Sequence, residues 1–135
     1  NLLELSDVSG WDIISTGGLL KAGSMSLLGK RATESIERYN ADKVFLSCKG
    51  VDILKGVTEG KEETGTIKQS MIDAAKKVYL TVDSSKFDKV AFSTICPLSR
   101  IDVVVTDKRP DAKWMETFKK LNIQCIYPKD IQDII

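Results

Sequence analysis

Small, polar and charged residues follow four apolar runs of the 135-residue chain. Carboxylates in such positions can accept hydrogen bonds from sugar hydroxyls or act as bases. Glycine-rich turns can present backbone N–H groups to an anion, and a lysine can pair with a phosphate as a point charge. These residues therefore indicate a site for a small anionic ligand: Thr16-Gly17-Gly18, Lys49-Gly50-Val51-Asp52, Asp83-Ser84-Ser85-Lys86 and Asp107-Lys108-Arg109.

Each of these groups also has a purely structural explanation. The Thr16-Gly17-Gly18 stretch could equally be a plain turn at the end of a strand. Asp52 is somewhat more typical of a residue that caps a turn. For Asp83 and Lys86 we favour a functional role, because a polar cluster after a buried strand needs a partner. Asp107-Lys108-Arg109 is more typical of a solvated approach to a helix.

Apolar and β-branched runs predict five strands, and amphipathic stretches between them predict helices. Alternation of strand and helix predicts an α/β fold, with a mostly parallel sheet that has helices on both faces. Asp111 is the predicted N-cap of the third helix. The charged, glycine-containing segment 55–65 is predicted to be a mobile loop. The strands are predicted at 11–15, 44–47, 78–82, 101–106 and 123–127, with a further short one at 91–95, and the helices at 31–39, 66–77, 111–121 and 131–135.

Composition and charge exclude several classes of function. Lys plus Arg is 20 and Asp plus Glu is 19, a net charge of +1 that argues against a dedicated nucleic-acid surface. The chain has no histidine and its three cysteines form no CxxC pair, so no catalytic triad, metal site or cofactor is predicted. No apolar run approaches the roughly 20 residues that span a bilayer, and the scattered cysteines favour a reducing, cytoplasmic location.

The chain begins Asn1-Leu2-Leu3 without an initiator methionine. We therefore expect an excised fragment, a single domain over residues 1–135 that is truncated at its N-terminus.

Seven stretches occur in the order found in a known family. Their ordered combination resembles the effector-sensing domain of DeoR-type (DeoR/GlpR) bacterial transcription repressors, from about Leu2 to Tyr127. The stretches are Thr16-Gly17-Gly18, Gly29, Asp42-Lys43-Val44-Phe45, Gly50-Val51-Asp52 with Gly56 and Thr58, Lys68 with Met71-Ile72, Asp83-Ser84-Ser85-Lys86-Phe87, and Thr106-Asp107.

The resemblance implies a sensor of a phosphorylated sugar or polyol, with a fold similar to ribose-5-phosphate isomerase and the CoA-transferases. It implies control of operator DNA through an N-terminal helix-turn-helix that this chain lacks, no membrane partner, and a homo-oligomer. Upstream strands and a Gly-Thr-Thr turn of the family are also absent, so we expect an exposed apolar edge. The ligand-binding residues implied are Thr16, Gly17, Gly18, Gly50, Asp52, Asp83 and Lys86.

Two other functions fit the same residues. In an aldose–ketose isomerase, Asp52 or Asp83 would remove the proton beside the carbonyl and Lys86 would stabilise the enediolate. Against this, Gly50-Val51-Asp52 offers one carboxylate where the isomerases resemble Asp-Gly-Ala-Asp. The third possibility is a structural or oligomerising domain with a vestigial pocket. We favour the sensor, with no catalytic residues.

The role of Lys86 can be tested by Lys86→Ala. If its ammonium pairs with a phosphate, the substitution weakens binding of a phosphorylated ligand far more than binding of the unphosphorylated parent. Isothermal titration calorimetry with both ligands measures the difference. Equal weakening would show that Lys86 is not the phosphate contact.

Overall fold

The computed structural model describes residues 9–128. Besides its helices and strands it contains two 3-10 turns, Ser84–Lys86 and Leu98–Arg100. The predicted helical turn at 131–135 lies outside the described residues. The elements in chain order are β1 (Leu19–Lys21), β2 (Ser26–Leu28), α1 (Lys30–Ile36), β3 (Ala41–Leu46), β4 (Gly50–Asp52), β5 (Gly56–Glu59), α2 (Glu62–Asp73), β6 (Ala75–Thr81), β7 (Ser93–Cys96), β8 (Val103–Val105), α3 (Ala112–Lys120) and β9 (Gln124–Ile126).

Four of the predicted strands form one parallel sheet, in the order β3-β6-β8-β9. The register pairs Leu46 with Leu80 and Leu80 with Val104, so these three side chains share one face. All three are buried. Because the strands run in the same direction, their carboxyl ends meet at one edge of the sheet.

The core forms where α2 and α3 pack against this sheet. Ile72 of α2 and the aromatic pair Trp114 and Phe118 of α3 belong to the same buried cluster as Leu80. Trp114 and Phe118 have ring centroids 5.6 Å apart. The predicted α/β class, a parallel sheet flanked by helices, is therefore confirmed. None of the helices between residues 9 and 128 is long and apolar enough to cross a membrane.

Local capping explains where α3 begins. The Asp111 carboxylate accepts a hydrogen bond from the Trp114 backbone N–H at 3.0 Å, as a side chain at the N-cap does. The predicted N-cap is confirmed.

The predicted strand at 11–15 is wrong: this segment has no regular secondary structure. Trp11 and Ile14 are 65% and 67% exposed. A strand is stable only when a neighbour takes up its backbone N–H and C=O groups, and no strand between residues 9 and 128 pairs with this one. The apolar residues of this segment were therefore not sufficient evidence for a strand.

The predicted loop at 55–65 is also wrong. It contains β5, in which every residue is buried, and the first turn of α2, which begins at Glu62 rather than at residue 66. Strand β5 lies between β4 and β7 in a three-stranded antiparallel sheet, so the short strand predicted at 91–95 exists but pairs outside the parallel sheet.

The glycines in this segment mark close packing rather than mobility. Gly56 has φ +76°, and a Cβ there would lie 2.2 Å from the carbonyl oxygen of Cys96. Gly65 is buried, and a Cβ there would lie 3.1 Å from Ser93 Oγ. Both positions let α2 or β5 approach β7 closely.

We expect Gly56→Ala to lower the free energy of unfolding by about 2–5 kcal/mol, because the methyl group meets backbone and the left-handed conformation is strained. Gly23→Ala is the matched control, since no atom lies within 4 Å of its added methyl group. Urea unfolding followed by circular dichroism measures both. Equal midpoints for the two variants would contradict this account of β5.

Candidate functional site

A cavity of ≈ 650 Å³ lies at the carboxyl end of β3. This volume is within the range of small-molecule sites, and in open parallel sheets ligands bind beyond the carboxyl ends of strands. The β1–β2 hairpin, the segment after β3, the end of β5 and the first half of α2 form its walls. The lining residues are Lys21, Gly23, Ser24, Ser26, Leu28, Ser47, Cys48, Lys49, Glu59, Gly60, Lys61, Thr64 and Lys68.

The lining is rich in cationic and hydroxyl groups. It contains four lysines, Lys21, Lys49, Lys61 and Lys68, against the single carboxylate of Glu59. Three serines and a threonine add hydroxyl groups that both donate and accept hydrogen bonds. An excess of positive charge in a concave site attracts anions and raises their local concentration.

Lys68 is the most extensively hydrogen-bonded lysine of the cavity lining. Its ammonium group donates to Glu59 Oε2 at 2.5 Å and to the Ser47 carbonyl oxygen at 2.6 Å. Only 16% of the Lys68 side chain and 5% of the Glu59 side chain are exposed. Glu59 Oε1 accepts from the Gly60 backbone N–H at 3.1 Å. The pair thus joins the end of β3, the end of β5 and the middle of α2, and leaves neither buried charge without a partner.

A second ion pair holds the hairpin at the rim. Lys21 Nζ lies 3.6 Å from Glu63 Oε2 on the first turn of α2. These side chains are 42% and 68% exposed, so solvent screens the pair and it contributes little to stability. It connects the hairpin to the first turn of α2 beside the cavity.

Asp83 and Lys86 lie in the 3-10 turn at the carboxyl end of β6. Asp83 Oδ1 accepts from the backbone N–H of Ser85 at 2.9 Å and from its hydroxyl. The Ser85 side chain first, and then its backbone, hold the pKa of Asp83 below its usual range. Lys86 Nζ lies 3.6 Å from Asp83 Oδ2. This part of the predicted cluster is therefore assembled.

Asp107 connects this turn to β8. The Ser84 backbone N–H donates to Asp107 Oδ1 at 2.6 Å, and the Ser84 hydroxyl donates to Asp107 Oδ2 at 3.2 Å. The segments after β6 and β8 thus meet at one edge, as the parallel arrangement requires.

Gly50 and Asp52 lie in β4, beside that turn. Asp52 Oδ1 accepts from the backbone N–H groups of Leu54 and Lys55 at 2.9 and 2.8 Å, so Asp52 does cap a turn. A parallel bridge between Val51 and Phe87 brings the Gly50–Asp52 strand alongside the Asp83–Lys86 turn.

Thr16, Gly17 and Gly18 precede β1 and do not follow a strand. Their expected position at the edge of the parallel sheet depended on the strand at 11–15, which is not formed. A Cβ at Gly18 would lie 2.5 Å from the carbonyl oxygen of Leu28, a residue that lines the cavity. This segment therefore packs against Leu28, one of the residues that line the cavity.

None of the seven predicted ligand-binding residues is among those that line the cavity. Two groups adjoin it: Gly18 contacts Leu28, and Gly50 follows Lys49 directly. Sequence reasoning missed Glu59 altogether. Lys68 belonged to the family pattern and Lys49 to a group after a strand, but neither was assigned to ligand binding. The usable signal was an acidic residue directly after the run Gly56-Val57-Thr58, within a stretch taken for a loop.

The acidic and thiol groups do not form a metal centre: within residues 9–128 no three His, Cys, Asp or Glu side chains cluster so as to hold a metal ion. Cys48 lines the cavity, and Cys96 lies in β7. Burial raises the pKa of each thiol to about 11, so both stay protonated at neutral pH.

Comparison with known proteins decides between the families that such a fold allows. The sequence model described as the DeoR C-terminal sensor domain matches residues 1–108. The chain belongs to this family. As a member, it is a sensor domain, and the predicted resemblance is confirmed.

The related proteins have names that describe regulators of transcription. The uncharacterized HTH-type transcriptional regulator YulB of Bacillus subtilis is 38% identical over 81% of the chain and 42% of its own length. The HTH-type transcriptional regulator GlpR of Haloferax volcanii is 32% identical over 82% of the chain and 44% of its length. The L-fucose operon activator of Haemophilus influenzae is 29% identical over 80% and 43%.

The sensor domain thus spans less than half the length of these relatives. Their names, together with the family's description as a sensor, support a regulator rather than an enzyme. None of the three relatives described above is named as an isomerase, so the comparison does not support the isomerase hypothesis.

The hydrogen bonds to Asp83 predict a dependence of stability on pH. Because the folded-state pKa lies below the ordinary value of 3.8, the stabilisation is present above that value and is lost as the pH falls through the folded pKa. Asp83→Asn should therefore melt at a lower temperature than the parent chain at pH 6, and the difference should shrink as the pH falls below 3.8.

Differential scanning calorimetry between pH 2.5 and 7 measures this convergence. Asp12→Asn, in the irregular segment before β1, is the control. A difference between Asp83→Asn and the parent chain that persists unchanged at pH 2.5 would rule out the carboxylate as its source.

Proposed function

We propose that this domain binds a phosphorylated sugar or polyol in the cavity beyond β3, as the sensor of a transcriptional regulator of sugar or polyol metabolism. The observation that carries the proposal is the set of four lysines around one cavity that also offers hydroxyl groups. A phosphate ester presents both a dianion and hydroxyl groups, which these two kinds of lining group complement.

The ligand's phosphate is placed among Lys21, Lys49 and Lys61. Lys49 and Lys61 are exposed to solvent, so they can reorient toward an entering anion without breaking an ion pair of the kind that holds Lys68. Hydroxyl-bearing residues lie on the same hairpin as Lys21, at Ser24 and Ser26. The cavity is large enough for a sugar phosphate.

In this proposal the seven predicted residues act beyond the residues that line the cavity. Ligand atoms that extend past Lys49 reach the Gly50–Asp52 strand, and beyond it the Asp83–Lys86 turn that the Val51–Phe87 bridge holds beside it. Asp52 caps its turn through Oδ1, which leaves Oδ2 for a ligand hydroxyl. Thr16, Gly17 and Gly18 support the hairpin wall through Leu28.

Regulation follows from linkage. A ligand changes the affinity of an attached DNA-binding domain for its operator only when it binds the two states of the protein unequally. The name of the Haemophilus influenzae relative, L-fucose operon activator, supports a sugar as the metabolite that the regulator senses. We accordingly place operator contacts in an N-terminal helix-turn-helix outside this chain, and the regulator in the cytoplasm as a homo-oligomer.

Thermal stability in the presence of ligands tests the proposal. Glucose 6-phosphate, fructose 6-phosphate and glycerol 3-phosphate are compared with glucose, fructose and glycerol. A ligand that binds only the native state at 100 times its Kd adds about 2.7 kcal/mol to the free energy of unfolding. We expect at least one phosphate ester to raise the melting temperature, while its parent does not.

Lys49→Gln should reduce that rise, because it removes one of the cavity's cations. Lys43→Gln is the matched control, since Lys43 is an exposed residue of β3 that does not line the cavity. Equal stabilisation by a sugar and its phosphate, or no stabilisation by any of the three esters, would contradict the proposal.

A further inference from the structure

Glu59 is the one acidic side chain among the described residues that line the cavity. Both of its carboxylate oxygens have partners: Oε2 accepts from Lys68 Nζ, and Oε1 accepts from the Gly60 backbone N–H. The side chain is 5% exposed. A buried, doubly hydrogen-bonded carboxylate keeps its position when a ligand enters, so its charge is a fixed feature of the site.

This fixed charge acts against a bare anion. A like charge about 4 Å away weakens anion binding roughly fivefold in bulk water, and the effect grows as the dielectric constant falls. Glu59 also engages Lys68, whose ammonium has three N–H donors. Two of these are used by Glu59 and by the Ser47 carbonyl oxygen, so at most one is left for an anion.

The same carboxylate favours a ligand that carries hydroxyl groups. Each carboxylate oxygen can accept more than one hydrogen bond, and a hydrogen bond to an ionised acceptor is stronger than one between neutral groups. A phosphate ester of a polyol therefore regains, through hydrogen bonds from its hydroxyl groups to Glu59, part of the binding free energy that repulsion between its phosphate and Glu59 removes. Inorganic phosphate has only its own P–OH groups to donate, and pointing one of them at Glu59 brings the phosphate's negative charge against the carboxylate.

We propose that Glu59 is a specificity-determining residue of this cavity. It excludes inorganic phosphate and admits phosphate esters whose hydroxyl groups reach its carboxylate. The inference rests on the proposed function, that the cavity binds a phosphorylated sugar or polyol. It adds that discrimination comes from one repulsive group placed among attractive ones, a general way of obtaining specificity.

Isothermal titration calorimetry at fixed ionic strength compares the parent chain with Glu59→Gln. The probes are inorganic phosphate and whichever of glucose 6-phosphate, fructose 6-phosphate or glycerol 3-phosphate binds the parent chain most tightly. Glutamine keeps the shape and an acceptor for Lys68, but removes the charge. We expect inorganic phosphate to bind Glu59→Gln at least fivefold more tightly, and the ester to gain less or to bind more weakly.

Glu63→Gln is the matched control. It makes the same chemical change on an exposed carboxylate of α2 whose pair with Lys21 is at the rim, and we expect it to alter the ratio of the two affinities less than twofold. If Glu59 only held α2 in place, Glu59→Gln would lower the melting temperature and leave this ratio unchanged.

Glu59→Asp covers the case in which Glu59→Gln does not fold. It keeps the charge, so it should continue to exclude inorganic phosphate; fivefold tighter binding of inorganic phosphate by Glu59→Asp would overturn the proposal. If an ester binds the parent chain, but the ratio of its affinity to that of inorganic phosphate is the same in Glu59→Gln, only the specificity role of Glu59 is overturned. Failure of all three esters to bind the parent chain would overturn the proposed function and this inference together.

Discussion

The Lys68 ammonium joins three elements that the sequence separates. It donates to the Ser47 carbonyl oxygen after β3 and to Glu59 at the end of β5, from a position in the middle of α2. A buried lysine is costly unless its charge is paired and hydrogen-bonded, so these elements are constrained to meet at this point. The cavity exists because the β1–β2 hairpin lies across from this junction, and its charge follows from which side chains the junction leaves facing inward.

The rest of the fold supports that junction. The parallel sheet brings the carboxyl ends of β3, β6 and β8 to one edge, where the Asp83–Lys86 turn and Asp107 are joined by hydrogen bonds. The antiparallel sheet brings Glu59 to the same region, which requires β5 to pack closely on β7 at Gly56. Two sheets of different type thus contribute to one cavity that is lined by lysines.

Much of the fold could be predicted because it depends on local patterns. Val103–Val105 is apolar on both faces, as buried parallel strands are, and Asp111 caps α3 through a contact three residues away. The segments 11–15 and 55–65 were predicted wrongly, because pairing partners and close approach decide their conformation. The gathering of polar residues at the edge of the sheet was predicted, but the Glu59–Lys68 pair was not. Glu59 ends a strand and Lys68 lies nine residues later in a helix, so no single periodicity of the sequence brings the two side chains together.

The most direct measurement is a map of backbone amide chemical shifts, by 15N-labelled NMR, during titration with a phosphate ester that stabilises the protein. If the cavity is the ligand site, the largest changes fall on Lys49, Gly60, Lys61 and Lys68, and smaller ones on the turn at 83–86. Changes confined to the separate cleft lined by Gln69, Asp73 and Arg100, with the amides of Lys49, Gly60, Lys61 and Lys68 unmoved, would contradict the account.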